Sequence, residues 1–339
     1  MSPKRGHSHF PFLRSRSRDA AAVRGRASRQ RGVALITAVL IVALATILAT
    51  QLGFESALEQ RRSIGMLYMD QAFQVSLGAE AWAAKYLRDD LANSPQTDNL
   101  SERWATPIPP IPLEGGPIEG SLEGQIEDLT GRFNLNNVIN ANGQRDTEGV
   151  RELKQLLTIL ELEPKWADII ADWIDQDTQP NIPDGGEDSL YLSQAPPYRA
   201  ANIPITTTSE ILSIPEFGLE RYRRLAPYIA ALPVGTRVNV CTASGVVLDA
   251  LNEGVVQFSI DQPGLAKARE QGCFPRLQDY QNGLSAGMRQ VLQNRIAEKT
   301  EYFGLRALVT LGTTEFSLYS LMVRDQTGVR VVMRTFGAE

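Results

Sequence analysis

The chain has 339 residues, enough for two globular units or one with a large insertion, so core size is not limiting. Its net charge of -5 hides an asymmetry: residues 1–31 hold nine Lys or Arg (Lys4, Arg5, Arg14, Arg16, Arg18, Arg24, Arg26, Arg29, Arg31) against Asp19 alone, which leaves -13 on the remainder. An acidic body argues against phosphate-backbone binding as its main work, and two cysteines without a CxxC or Cys/His cluster exclude a disulfide framework and a zinc site.

Val33 to Thr50 reads VALITAVLIVALATILAT, 18 residues without a charge, followed by Gln51 and then Glu55. That approaches the roughly 20 residues that span a bilayer core. The positive-inside rule puts the Arg-rich leader in the cytoplasm and the acidic body across the membrane. A secretory signal peptide shares this pattern, and Ala43-Leu44-Ala45 would offer it a cleavage site. The sequel favours one long helix instead. No proline interrupts the chain from Glu55 until Pro95, and Leu58, Ile64, Leu67, Ala72, Val75, Ala79, Trp82 and Tyr86 recur mostly at helical intervals.

Ser94 to Gly120 is rich in Pro and Gly (Pro95, Pro107, Pro109, Pro110, Pro112, Gly115, Gly116, Pro117) and reads as an extended connector without regular structure. Ser121 to Phe133 alternates apolar and polar residues like a half-exposed strand. Thr147 to Leu162 predicts a helix with Val150, Leu153, Leu156, Leu157 and Leu160 on one face, and Pro164 opens another over Lys165 to Ile174. Ser209 to Leu232 reads as helix, Pro-Glu-Phe-Gly turn, helix; Arg237 to Leu251 reads as a strand-like entry, a Thr or Ser cap and a helix. Leu284 to Lys299 looks helical. Three β-rich runs close the chain, Arg306 to Gly312, Thr314 to Arg324 and Val329 to Phe336, which predicts an antiparallel meander.

The junction Arg31-Gly32-Val33 before the apolar run resembles that of type IV pilins and pseudopilins. The resemblance implies a leader cut by prepilin peptidase between Gly32 and Val33, and methylation of the new amino terminus at Val33. The usual fifth mature residue of those proteins is Glu, whereas Thr37 stands here. This narrows the resemblance to the general secretion pathway protein K (GspK) family, atypical minor pseudopilins of type II secretion that lack the acid. Asp128 to Asn137 (DLTGRFNLNN), Ala171 to Asn202 and Arg237 to Ala243 carry it furthest, over nearly the whole mature chain.

The implied fold is α+β: a pilin-like long N-terminal helix and antiparallel sheet with a large inserted α-helical domain, SAM-like or helix-hairpin-helix-like. The expected division is a leader over 1–32, the transmembrane and amphipathic helix over 33–93, connector and first strand over 94–134, the inserted α-domain with its acidic loop over 135–235, and the rest of the head with the C-terminal sheet over 236–339. The resemblance implies a tip subunit of the type II secretion pseudopilus, anchored once in the inner membrane with a periplasmic head, that initiates or caps assembly. Its implied partners are other minor pseudopilins, the major pseudopilin and prepilin peptidase, with the secretin or exoproteins as further candidates and no nucleic acid. Two rivals stand beside this. One is a single-pass inner-membrane protein with a periplasmic binding domain. The other is a helix-hairpin-helix nucleic-acid binder, against which Pro215-Glu216-Phe217-Gly218 and Asn252-Glu253-Gly254 place acids where phosphates would sit.

The densest chemistry lies in Asp172-Trp173-Ile174-Asp175-Gln176-Asp177, Pro183-Asp184-Gly185-Gly186-Glu187-Asp188 and Pro196 to Asn202. Alternate carboxylates, a Gly turn and further acids suit a hard cation, because Ca²⁺ takes six to eight oxygens from flexible loops. The candidate ligands are Asp175, Asp177, Glu187 and Asp188; the spacing is not that of an EF-hand. A solvated acidic loop and a carboxylate-pair hydrolase are the alternatives. The hydrolase lacks a histidine, since His7 and His9 both lie in the leader, and no GxSxG, Walker A or GxGxxG element is present. GspK-type proteins carry calcium in this domain, which favours the first reading. Cys241 and Cys273 either form one bridge in an oxidising compartment or stay as two buried thiols; the family commonly has Asn at the first position, so the resemblance implies nothing here.

Overall fold

The computed structural model describes residues 31–114, 119–252 and 255–337, and the chain divides into two units, Met1–Ser63 and Ile64–Glu339. Residues 1–30 of the leader, Gly115 to Ile118 of the connector, Glu253 and Gly254, and the last two residues lie outside the described residues.

The described part of the first unit is wholly helical and belongs to α1 (Arg31–Asn93), as the unbroken proline-free pattern predicts. Val33, Leu35, Ile36, Leu40, Ile41 and Leu44 are all exposed. The hydroxyls of Thr37, Thr46 and Thr50 donate to the carbonyls of Ala34, Val42 and Thr46 at 3.0, 2.8 and 3.0 Å. The apolar stretch thus offers a lipid phase no unbonded side-chain hydroxyl. Among the described residues, α1 is the helix long and apolar enough to cross a membrane, by length and composition.

In the second unit α1 continues and is followed by β1 (Ile108–Leu113) and β2 (Gly120–Asp128). The connector is therefore not devoid of regular structure. Among the described residues β1 pairs only with β2, at the edge of a sheet of order β1-β2-β7-β8-β9, whose last three strands are β7 (Tyr302–Leu311), β8 (Thr314–Asp325) and β9 (Gly328–Phe336), so Pro109, Pro110 and Pro112 need not donate to a further neighbour. β2 stops at Asp128 rather than Phe133, because the Asp128 side chain accepts from the Thr130 amide at 2.7 Å and turns the chain.

Between β2 and β7 stand two small cores. The first holds β3 (Phe133–Asn134), α2 (Thr147–Ile159), α3 (Trp166–Ile174), α4 (Asp188–Leu192), α5 (Gly218–Leu225) and β4 (Ile229–Ala230), with β3 and β4 parallel. Val150, Leu153, Leu156 and Leu157 of α2 are buried against Trp166, Ile170 and Ile174 of α3, the predicted faces. Three asparagines of the NLNN run clip this core shut: Asn134 donates to the carbonyl of Pro233 at 2.9 Å, Asn136 to those of Ile205 and Leu232 at 2.9 and 2.8 Å, and Asn137 to that of Thr236 at 2.8 Å. The second half of the predicted helix-turn-helix ends early at Leu225, with Pro227 following.

The second core holds β5 (Val238–Asn239), α6 (Gly245–Leu251), α7 (Gln262–Arg269), α8 (Leu277–Asn282), α9 (Ala286–Leu292) and β6 (Ile296–Ala297), with β5 and β6 parallel. Its apolar residues run from Val238 to Ile296, and a disulfide joins Cys241 to Cys273 inside it. α9 is shorter than the span predicted from Leu284. After it Arg295 turns to Glu152 and Asp146 at 2.9 and 3.3 Å, and β6 pairs with β5. The expected boundary at 235/236 precedes β5, but Val246 and Ala250 of α6 still pack in the first core, and the sheet resumes only at Tyr302.

The antiparallel meander β7 (Tyr302–Leu311), β8 (Thr314–Asp325) and β9 (Gly328–Phe336) completes the sheet, with β7 paired to β2 in the register Asp128↔Phe303. One sheet face carries Phe303, Leu305, Ala307, Val309, Leu318 and Met322 against Ala72, Ala79, Ala83 and Leu87 of α1. Small residues let the helix approach closely. Trp82, expected on that face, is half exposed. Glu80, buried on it, accepts from Arg334 at 2.8 Å on each oxygen.

Candidate metal centre

α3 ends where Asp175 leaves the helical conformation, and the loop beyond folds back on the last helical turn. Asp172 is the organiser. Fully buried, it accepts from the amides of Asn181 and Gly186 at 3.0 Å each, and from the Asn181 side chain. Gly185 passes so close that any Cβ would strike the Asp172 carboxylate and the backbone of Asn181. This fold-back carries Glu187, at the start of α4, next to Asp175. Asn202, at φ 50°, donates its amide to the Trp173 carbonyl at 3.0 Å and its side-chain amide to the Asp177 carbonyl at 2.7 Å.

The result is a group of three carboxylates, Asp175, Asp177 and Glu187, each offering an oxygen within 4.8 Å of the others. Asp175 and Glu187 are buried, at 1% and 2% exposure, and among the described residues neither oxygen of either has a hydrogen-bond partner. Asp177 is exposed and closes the mouth. The buried side-chain oxygen of Asn202 is also unpartnered. Burial first, and the charges of Asp177 and Asp172 next, push the Asp175 carboxyl up to about 7; burial and the four neighbouring acids push Glu187 up to about 8. Acids so placed repel one another unless a positive charge joins them. An all-oxygen donor set without nitrogen or thiolate suits a hard divalent cation of the calcium kind.

Of the four ligands expected from sequence, the structure brings together Asp175, Asp177 and Glu187. Asp188 faces elsewhere, accepting from the Ala200 amide at 3.2 Å with Arg199 at 3.8 Å. The organising role of Asp172 and the bare oxygen of Asn202 were not read from sequence as ligand geometry. Both stand inside the acidic motif, and the Gly185-Gly186 pair is the signal that a close approach was needed there.

Among the described residues, two other groups could mimic a cation site. Asp90, Asp98 and Glu102 also converge, but Arg324 already sits among them, paired with Asp98 and with Asp90 at 2.8 Å. Cys241, Cys273 and Glu298 converge as well, with the sulfurs spent on each other. Of the three arginines that follow the Pro-Glu-Phe-Gly turn, Arg221 donates to Glu163 at 3.1 Å and Arg224 pairs with Glu161 at 3.3 Å, while Arg223 is exposed.

A long helix that is apolar at its start, an antiparallel sheet laid on its later turns and a helical insertion between two sheet strands define a pilin-like α+β subunit. Comparison with known proteins agrees. The family profile for "Type II secretion system (T2SS), protein K" matches residues 131–234. The type II secretion system protein K of Pseudomonas aeruginosa is 36% identical over 322 residues, 91% of this chain and 93% of that one, and that of Aeromonas hydrophila is 29% identical over 92% and 98%. In the crystal structure of the GspK-GspI-GspJ complex of the enterotoxigenic Escherichia coli type 2 secretion system, one chain superimposes with a TM-score of 0.69 at 24% identity, covering 82% of this chain and 100% of that one. The chain belongs to the type II secretion system protein K family, and as such it is a structural component of the secretion machine, not an enzyme.

Proposed function

We propose that this chain is a minor pseudopilin at the tip of the type II secretion pseudopilus, initiating or capping its assembly. The observation that carries this reading is Thr37. Its hydroxyl is spent on the Ala34 carbonyl of its own helix, at a place where pilins usually keep an acid for the amino terminus of the subunit above. A subunit with nothing above it has no use for that acid. The apolar stretch then packs among the helices of the pseudopilus below while the bulky insertion obstructs further addition. The partners that fit are other minor pseudopilins, as for the solved GspK chain in its complex with GspI and GspJ, with the major pseudopilin beneath.

The leader of such a subunit is cut by prepilin peptidase between Gly32 and Val33, its anchor stays in the inner membrane and its head lies in the periplasm. Coexpression with the peptidase should lower the mass by that of residues 1–32; an intact leader would sink the assignment. The tip position is tested by copurification. The chain should bring down other minor pseudopilins at one copy each, and recovery along the whole length of pseudopili would refute it.

The head binds Ca²⁺ through Asp175, Asp177 and Glu187, with the Asn202 side-chain oxygen facing the same loop. The unpartnered buried oxygens support this, since a cation would offset their repulsion and tie the loop to α3. EDTA should lower the melting temperature and added Ca²⁺ restore it. No shift in either direction would defeat the calcium reading.

A further inference from the structure

We infer that Trp173 and Tyr191 are the outer donors of the cation site, steadying its carboxylates from within the aromatic core; this rests on the calcium reading above. Both side chains are buried, at 6% and 0% exposure, and among the described residues neither the Trp173 Nε1–H nor the Tyr191 hydroxyl has a hydrogen-bond partner. They stand on the two elements that carry the bare acids. Trp173 lies two residues before Asp175 at the end of α3, and Tyr191 lies one helical turn after Glu187 on α4. Their rings meet edge to face at 4.9 Å. Tyr191 lies close enough to Glu187 and Asp172 to feel their charges, and its ring holds Trp173 in the same cluster, so two donors without acceptors share this end of the insertion with four carboxylate oxygens without donors.

A cation satisfies only the oxygens turned toward it. A ligating carboxylate keeps lone pairs on its far side, and the groups that bond there fix its orientation and tune the affinity. The indole and the phenol supply that second layer. Neither donates directly to a carboxylate, so the link this inference requires is a bridging water that accepts from the ring donor and donates to the oxygen, as is usual between unpaired buried polar groups. Burial, then Tyr198, then the charges of Glu187 and Asp172 hold the Tyr191 hydroxyl above its ordinary pKa, which keeps it a donor. Tyr198 supplies the contrast. It packs in the same cluster, with its ring 5.5 Å from that of Tyr191, but its hydroxyl is already committed to the Ser213 carbonyl at 2.5 Å.

This arrangement couples ion occupancy to the core of the insertion, because the Trp173 and Tyr191 rings belong to the same apolar cluster as Ile170, Ile174 and Ile211. It also makes Trp173 an antenna for a luminescent ion. The test uses the full chain in detergent micelles, titrated with Tb³⁺ under indole excitation and then with competing Ca²⁺. Wild-type protein should give sensitised emission that Ca²⁺ abolishes. Y191F, with its EDTA melting temperature near that of wild type, should bind Ca²⁺ about tenfold more weakly. W173F should lose most of the emission and show a similar loss of Ca²⁺ affinity, read by the calcium-induced rise in melting temperature. Y198F should bind like wild type. Wild-type affinity in both Y191F and W173F would overturn the inference while leaving the calcium reading standing; a wild-type chain that binds neither ion would overturn both.

Discussion

Asp128 and Glu187 are both buried acids, at 8% and 2% exposure, yet the first accepts five hydrogen bonds and the second none. Asp128 takes the amide and hydroxyl of Thr130, the hydroxyls of Thr242 and Thr300 at 2.5 Å each, and the Asn239 side chain at 3.0 Å. Nearby, Asp98 accepts from the Thr300 amide at 2.7 Å and meets Arg324, whose guanidinium also lies over the Phe303 ring at 4.6 Å. Here the protein supplies every counterpart itself, and the cluster locks sheet, insertion and the end of α1 together. Around Glu187 it supplies none. A buried acid with all its donors is a fastener, whereas one without them is half of a site.

Three perturbations would break or sharpen this contrast. R324L should have the largest effect, about 3–5 kcal/mol of lost stability in urea unfolding, with or without calcium, because it strands Asp98 as a buried charge beside the half-buried Asp90. E187Q should change sign with conditions. At a Ca²⁺ concentration about a hundred times Kd the wild-type chain gains about 2.7 kcal/mol, most of which the variant should forgo. In EDTA above pH 8, where Glu187 is ionised, the variant should instead melt above wild type, since one repelling charge has gone. If E187Q melted lower in EDTA, Glu187 would be a fastener like Asp128. E102Q should have the smallest effect, on pH dependence alone. Burial raises the half-buried Glu102 carboxyl to about 7, against hydrogen bonds from Trp104 and Asn99 that lower it. Its proton is therefore held more tightly in the folded chain. The resulting stability is present in full below the ordinary glutamate pKa near 4.5 and disappears as pH rises through 7. Melting curves between pH 5 and 8 in saturating Ca²⁺ should show that slope flattened in E102Q.

The long helix, the C-terminal meander and the α2–α3 pair were legible because each is written in a period that one residue type repeats: unbroken apolar residues, alternation, or leucines every third and fourth place. β1 was not, because its prolines argue against any strand, and only its place at an edge makes them tolerable. The helices α7 and α8 left no clear sequence signal, being short and held by the small second core rather than by propensity. At the site, the acids were legible as a group. Which of them face inward was not, since Asp188 and Glu187 are neighbours in sequence and their directions diverge only because α4 begins between them. The aromatic donors were invisible for a related reason. Trp173 and Tyr191 look like ordinary core residues until their polar atoms are found without partners.

The register Asp128↔Phe303, with the Thr130, Thr242 and Thr300 hydroxyls gathered on one carboxylate, means that the chain departs from the sheet and returns to it at adjoining points of neighbouring antiparallel strands. A short hairpin turn could join β2 to β7 directly. In evolutionary terms the head is a plain pilin scaffold of one helix and five strands with a detachable cargo spliced into one of its turns, and the same splice point is where a different domain could be grafted without redrawing the sheet.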